Sequence, residues 1–315
     1  MNLSRTIETL AAKDADLILE LINVIQPSSP WTHEHLRWQY FEPPAGAARL
    51  YGIRDGRRLV SFYAAVAHDF RMVERSVTAR RVQDVMTHPD YRGRGFLHAL
   101  AECCLRDIVA GGDVGFTFPN TRSENSFRRT GWTELCAVPW RKKQLDPTAR
   151  TTRTQLVLQP VSMFDDGISD LWDSAGFSVG GRRDSKYLNW RYKKPGNSYL
   201  KFLVGDGAGL LVLKIYDDGP RRILHVCELL LRSYEPPNVH DVLLSCEAMG
   251  VANGASLMTA WLPASHPYSQ AFTDAGLRLS EDSGRYVFVH SGKYGPCALS
   301  NAASWHLTQG DSDIY

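Results

Sequence analysis

Apolar positions along the first half of the chain switch between a helical and an extended period. Leu17, Ile18, Leu21, Ile22 and Ile25 stand at helical spacing and predict an amphipathic first helix that ends near Pro27. A second, short helix is predicted over His33 to Tyr40. Two strand-like runs follow, Leu50 to Ile53 and Leu59 to Val66, joined by the turn Arg54-Asp55-Gly56. Thr78 to Met86 reads as a further strand. Leu97, Leu100, Ala101, Cys104, Leu105 and Ile108 then return to helical spacing, and Gly111-Gly112 stops that helix. Val114 to Phe118 reads as a strand, Glu124 to Thr130 as a short helix and Trp132 to Val138 as a closing strand. The polar stretch Gln144 to Arg153 contains Pro147 and reads as a linker.

The second half repeats the first. Leu36, Trp38, Tyr40 and Pro43 return as Leu188, Trp190, Tyr192 and Pro195 at a constant offset of 152. Asp55-Gly56 returns as Asp206-Gly207 at 151, and Asp84 as Glu228. Pro119, Phe127 and Gly131 return as Pro263, Phe272 and Gly276 at 144 and 145. Common order with a slowly drifting offset indicates a duplicated domain. The fold class is α/β (α+β): two tandem domains, each a mixed, mostly antiparallel twisted sheet flanked by helices. The expected division is a first domain over 1–145, a linker over 146–156, a second domain over 157–295 and a C-terminal tail over 296–315.

Composition narrows the function classes. The chain has 315 residues, 43% hydrophobic and 22% charged, enough apolar material for two cores. A formal net charge of +2 gives no sign of a nucleic-acid or membrane surface. No apolar run is long enough to span a bilayer, and the N-terminal residues lack the apolar core of a signal peptide. Cys103, Cys104, Cys136, Cys227, Cys246 and Cys297 form no C-x-x-C pair or zinc cluster, so no metal and a reduced, cytoplasmic setting are expected.

The chemistry concentrates in Val82 to Leu97. A strand leads into a loop with two glycines, and an amphipathic helix begins at about Gly95. A helix N-terminus presents unpartnered N–H groups and a partial positive charge. Glycines let the backbone approach a ligand. The result is an anion cradle suited to a pyrophosphate, with Arg92 and Arg94 at its rim. No G-K-[ST] follows, so it is not a P-loop, and the third glycine of a dinucleotide fingerprint is missing.

The string His88-Pro-Asp-Tyr-Arg-Gly-Arg-Gly95, after a strand and before a helix, resembles the acyl-CoA signature R/Q-x-x-G-x-G/A of the GNAT acyltransferase superfamily. Leu97 stands where that family has Gly or Ala. Phe118-Pro119-Asn120, and Asn125 to Trp132 as an N-x-x-x-x-x-G-F-like element, fit the same family. The resemblance covers roughly residues 10–140. It implies that Arg92, Gly93, Arg94, Gly95, Phe96 and Leu97 bind the pyrophosphate of acetyl-CoA or another short acyl-CoA. It implies that Val85, Met86 and Thr87 pair with pantetheine amides, with Asn125 and Arg128 near the cofactor.

Acyl transfer to an amine needs a neutral amine, and Asp84 matches the carboxylate that serves as base in many relatives. His88 and His33 are weaker candidates. The family's usual general acid, a tyrosine, is replaced by Phe127. The second half has no glycine pair ahead of its long helix, so it is expected to hold no CoA. It would wall the acceptor pocket, stabilise the first domain, or form a homodimer. The layout is similar to tandem GNAT proteins that acylate nucleotide-linked amino sugars in surface-polysaccharide pathways, with Trp31, Trp38, Asn120, Tyr187 and Arg191 toward the acceptor. A peptide, polyamine or aminoglycoside acceptor is the alternative small-molecule or peptide amine. A non-catalytic acyl-CoA sensor is the reading from a different class.

Overall fold

The computed structural model describes residues 6–146, 148, 156–232, 236–280 and 285–314. In chain order the first half carries β1 (Ile7–Leu10), α1 (Ala15–Ile25), α2 (His33–Tyr40), β2 (Arg49–Asp55), β3 (Arg58–Met72) and β4 (Arg75–Thr87). It continues with α3 (Phe96–Gly111), β5 (Val114–Thr117), α4 (Glu124–Arg129), β6 (Thr133–Val138) and β7 (Trp140–Gln144). The second half carries β8 (Leu158–Pro160), α5 (Ile168–Ser174), β9 (Val179–Gly181), α6 (Ser185–Arg191), β10 (Leu200–Val204), β11 (Gly209–Asp217) and β12 (Arg222–Leu231). It ends with α7 (Pro236–Ala252), β13 (Leu257–Trp261), α8 (Ser269–Asp274), β14 (Arg278–Leu279) and β15 (Arg285–His290).

The chain forms two compact units, and neither is a contiguous block. The first joins Met1–Leu135 to Tyr286–Ser300; the second joins Cys136–Arg285 to Asn301–Tyr315. This differs from the contiguous division read from the sequence because a strand crosses over in each direction. β7, read as the end of the first domain, lies between β13 and β14 in the second unit's sheet. β15 lies between β5 and β6 in the first. Pro139 alone separates β6 from β7, too short a link for a hairpin, so the two strands enter different sheets. The expected linker falls partly on residues 147 and 149–155, outside the described residues.

The first unit's sheet runs β1-β2-β3-β4-β5-β15-β6. Its β4–β5 pair is parallel, whereas β1–β2, β2–β3, β3–β4 and β5–β15 are antiparallel. α3 lays Phe96, Leu100, Ala101, Cys104 and Ile108 on a core with Tyr51, Val60, Tyr63, Val82, Phe127 and Trp132. Each large apolar side chain buried there contributes about 1.5–3 kcal/mol. On β3 the next residue, Phe62, points to the opposite face and meets the Tyr40 ring of α2 edge-on at 5.7 Å. The second unit's sheet, β14-β7-β13-β12-β11-β10-β8, repeats the plan with a parallel β12–β13 pair. The duplication extends to helix caps: Thr32 accepts from His35 N–H ahead of α2, and Asp184 accepts from Tyr187 N–H ahead of α6, at the same offset of 152.

Candidate active site

The parallel ladder between β4 and β5 ends at Val82 opposite Thr117. β4 continues to Thr87 on β3, through Met86 opposite Phe62 and Thr87 opposite Ser61, whereas β5 stops at Thr117. Beyond Val82 the side of β4 turned away from β3 has no strand neighbour among the described strands. Val85, Met86 and Thr87 therefore form a short sheet edge of the kind that an extended amide chain can pair with.

A bulge sits at the start of this edge. Gln83 faces Ala64 and Met86 faces Phe62, so Asp84 and Val85 together oppose Tyr63. Asp84 has φ +52°, and Val73 is the other described non-glycine residue with positive φ. Such a backbone costs on the order of 1–3 kcal/mol and persists where its surroundings enforce it. Asp84 Oδ2 accepts from Tyr40 Oη at 2.8 Å and from Gln83 Nε2 at 2.8 Å. Gln83 Oε1 in turn accepts from Arg81 Nε at 2.7 Å.

The other two base candidates sit elsewhere. His88 is buried, with Nε2 2.7 Å from Arg58 Nη2 and its ring edge-on to Tyr91. A guanidinium only donates, so this nitrogen is an acceptor already in use. His33 is exposed on the first turn of α2, with Asp16 at 3.2 Å.

After β4 a short turn, Pro89–Tyr91, delivers the chain to the glycine loop. Gly93 and Gly95 have φ +75° and +78°, and a Cβ on either would meet nothing within 4 Å. Conformation, not crowding, calls for glycine here. Gly95 is the N-cap of α3, and no side chain caps that end. Its first-turn N–H groups are thus available to an anion. Arg92 and Arg94 are exposed beside it. Arg92 Nε reaches Thr87 O at 3.3 Å, and Arg94 donates to Asp90 O at 3.0 Å while lying 4.7 Å from the Tyr91 ring centre. Phe96 is buried in the core and Leu97 packs against it.

Asn125 is exposed on α4. Arg128 pairs with Glu124 at 2.8 Å and Glu134 at 2.5 Å, and lies 4.6 Å from the Phe288 ring centre. Phe127 is buried against Trp132. Asn120 is exposed and accepts from the N–H groups of Arg122 and Ser123, a local turn ahead of α4. Trp31 is half-buried and stacks on His35 at 4.1 Å and 8°; Trp38 is buried. Sequence reasoning missed Tyr40, Gln83 and Arg58. The signal for Tyr40 was present, because the repeated L-x-W-x-Y string contains it, but that string reads as packing.

In the second unit Val226 opposite Ala260 ends the parallel ladder, and Glu228 follows two residues later, as Asp84 follows Val82. Its setting is closed. Glu228 is fully buried, with Arg183 Nε at 3.2 Å, Tyr192 Oη at 3.2 Å and His306 Nε2 at 2.9 Å. Burial by itself would raise its pKa, but the Arg183 charge and the His306 hydrogen bond hold the carboxyl well below the usual range. Arg183 also binds Asp311 at 2.6 Å. Arg191 donates to Gly310 O at 2.8 Å and Ser312 O at 2.7 Å, and Tyr187 Oη reaches Gly310 O at 3.5 Å. Tyr187 and Arg191, read from the sequence as acceptor-facing, are thus buried against the chain's own segment Thr308–Ser312.

Among the described residues no group of three His, Cys, Asp or Glu could hold a metal ion, and no helix is long and apolar enough to cross a membrane. No curated protein matches the sequence. The fold is shared with GCN5-related N-acetyltransferase from Anabaena variabilis, at TM-score 0.67 and 15% identity over 90% of this chain and 72% of that one. Eis1 from Mycobacterium abscessus matches at TM-score 0.62 and 14% identity over 90% and 73%. A conserved protein from Enterococcus faecalis V583 matches at TM-score 0.64 and 14% identity over 81% of this chain, which spans 64% of that chain's length. The sequence profile of the Acetyltransferase (GNAT) domain matches residues 6–135, the stretch that holds the open β4 edge, the bulge and the glycine loop. Residues 6–135 of this chain are therefore similar to a GNAT acetyltransferase domain, and the chain shares its fold with these solved structures.

Proposed function

We propose that the chain moves a short acyl group, acetyl foremost, from acyl-CoA to a primary amine, and that the amine belongs to a nucleotide-linked amino sugar. One observation carries the reading: an open strand edge at Val85–Thr87 leads directly into a glycine loop and the uncapped N-terminus of α3. An edge of this kind suits the amides of pantetheine, and the helix end suits a pyrophosphate. Arg92 and Arg94 add charge at the rim. Acyl-CoA supplies the activated thioester.

Asp84 stands at the head of the edge, where it takes a proton from the attacking amine. The amine nitrogen bonds to the thioester carbon, the C–S bond breaks, and CoA leaves as thiolate. Phe127 cannot protonate that thiolate, so the proton comes from water or another residue, or the thiolate leaves unassisted. The half-exposed Trp31–His35 stack supports an acceptor with a flat face, such as a sugar or a base.

The test is release of free thiol from acetyl-CoA against a panel of nucleotide-linked amino sugars, polyamines, peptides and aminoglycosides. Turnover with the first group supports the full reading. Turnover only with another group overturns the acceptor and keeps the reaction. Tight acetyl-CoA binding with no thiol release from any amine points to a sensor.

A further inference from the structure

The two units contain the same hydrogen bond. Tyr40 closes α2 and donates to Asp84 Oδ2 at 2.8 Å. Tyr192 follows the end of α6 and donates to Glu228 Oε2 at 3.2 Å. Both tyrosines are buried. They are 152 positions apart, the helix caps Thr32 and Asp184 are also 152 apart, and the carboxylates are 144 apart. A tyrosine at the end of the second helix of each repeat thus grips a carboxylate just beyond the parallel ladder. Around this shared pair the units diverge. Glu228 is enclosed by Arg183, His306 and Gly310. Asp84 is half-exposed at the bulge, and Gln83 also donates to it.

We propose that Tyr40 is a positioning residue for acyl transfer, acting through Asp84. The proposal rests on Asp84 as the base. Tyr40 has no exposed surface, so it touches neither acyl-CoA nor amine. Its hydroxyl fixes the rotation of a carboxylate whose backbone is already bent into the left-handed region. Together with Gln83 it places two donors on one carboxylate oxygen, which favours the ionised form that can accept a proton. Arg81 holds Gln83 in this orientation.

The experiment is Tyr40→Phe, which removes one oxygen and keeps the ring against Phe62. The Asp84 carboxyl is titrated by NMR in carbon-13-labelled protein, with no acceptor present. Loss of a donor to the ionised form should move its titration to higher pH. With acetyl-CoA and the best amine of the panel, kcat should fall about ten-fold or more, as expected for a hydrogen bond to a charged group. The Kd for acetyl-CoA should not change. In an Asp84→Asn background, Tyr40→Phe should cost nothing further.

An unmoved Asp84 titration, or the same fold loss in the Asp84→Asn background, overturns the proposal and leaves the base reading intact. Undiminished turnover of Asp84→Asn alone removes the base reading and this proposal with it. If Tyr40→Phe does not fold, Gln83→Leu removes the second donor to the same oxygen and should shift the Asp84 titration in the same direction.

Discussion

Gly310 lies directly against Tyr192: a Cβ added to Gly310 would overlap the Tyr192 hydroxyl and stand 3.0 Å from Glu228 Oε2. The segment Thr308–Ser312 therefore packs directly against the carboxylate site of the second unit, whereas Asp84 in the first unit is half-exposed. A larger residue at 310 must push this segment away from Arg183, Arg191 and Glu228. Gly310→Val should destabilise the protein by about 3 kcal/mol or more, since overpacking and exposure of paired buried charges act together. Thermal melting and limited proteolysis near the C-terminus would register it. A wild-type melting temperature with an intact C-terminus would refute the close fit.

Acid should destabilise the second unit well before neutral carboxylates appear. Tyr268 N–H donates to His266 Nδ1 at 3.1 Å, so the proton of His266 lies on Nε2, facing His306 Nδ1 at 3.3 Å. His306 then carries its proton on Nε2, toward Glu228 Oε1 at 2.9 Å. Burial lowers the pKa of both rings, and it lowers that of His225 to about 4. A histidine depressed in the folded state contributes stability that is complete above its unfolded pKa near 6.5 and is lost as pH falls from there toward the folded value. Each such ring should remove up to about 1.4 kcal/mol per pH unit below that point. Urea unfolding at pH 7.5, 6.5 and 5.5 measures the slope. A flat profile down to pH 5.5 would show that these rings are not held neutral.

The glycine loop offers a separation of shape from charge. Gly95 has φ +78° and open space where a side chain would go. Asn and Asp tolerate that backbone about equally and match in size. Gly95→Asn should keep most acetyl-CoA affinity. Gly95→Asp should lose nearly all of it, because its carboxylate stands at the N-terminus of α3, where the pyrophosphate is proposed to bind. Calorimetry on the parent protein should give about one acetyl-CoA per chain, because the glycine loop occurs once. Equal weakening by both substitutions, or two equivalent sites, would contradict this assignment.

The elements that the sequence revealed are those with a local cause. His33–Tyr40 is delimited by Thr32 at its start, and Phe96–Gly111 by a glycine at each end. The long hairpin of β3 and β4 exceeds its predicted strands: Phe70 and Met72 alternate with Asp69 and Arg71, but this short charged run becomes strand through its pairing with Val77 and Arg75. β7 was hidden for a different reason. Its string Trp-Arg-Lys-Lys-Gln reads as polar, and only the partner strands β13 and β14 give it a place. The strand crossing is a long-range choice with no local signature. Asp84 was visible by its position, but its bulge and the phenol that grips it depend on pairing with β3 and on packing of α2. Tyr187 and Arg191 looked like a substrate surface because aromatic and guanidinium groups suit ligands, yet their partner is a peptide segment more than a hundred residues away.

Asp84 itself can be divided into a structural and a chemical part. Asparagine tolerates the left-handed backbone and keeps an oxygen for Tyr40 and Gln83, so Asp84→Asn should fold with nearly unchanged stability. Alanine strains the same backbone by about 1–2 kcal/mol. It also leaves the Tyr40 hydroxyl and the Gln83 amide without this acceptor, at about 1–3 kcal/mol more. Asp84→Ala should therefore melt several degrees lower than Asp84→Asn. Turnover should not follow that order. Both variants lack the base, so both should lose about 10²–10⁴ in kcat while the Kd for acetyl-CoA stays close to wild type. The loss should narrow as pH rises toward the amine's own pKa near ~10, because a growing fraction of the acceptor then needs no help to shed its proton. Rate profiles of the three proteins from pH 6 to about 9.5 separate the two parts. A folded Asp84→Asn enzyme with near-normal turnover at pH 7 would take Asp84 out of the chemistry and leave it as the residue that bends β4.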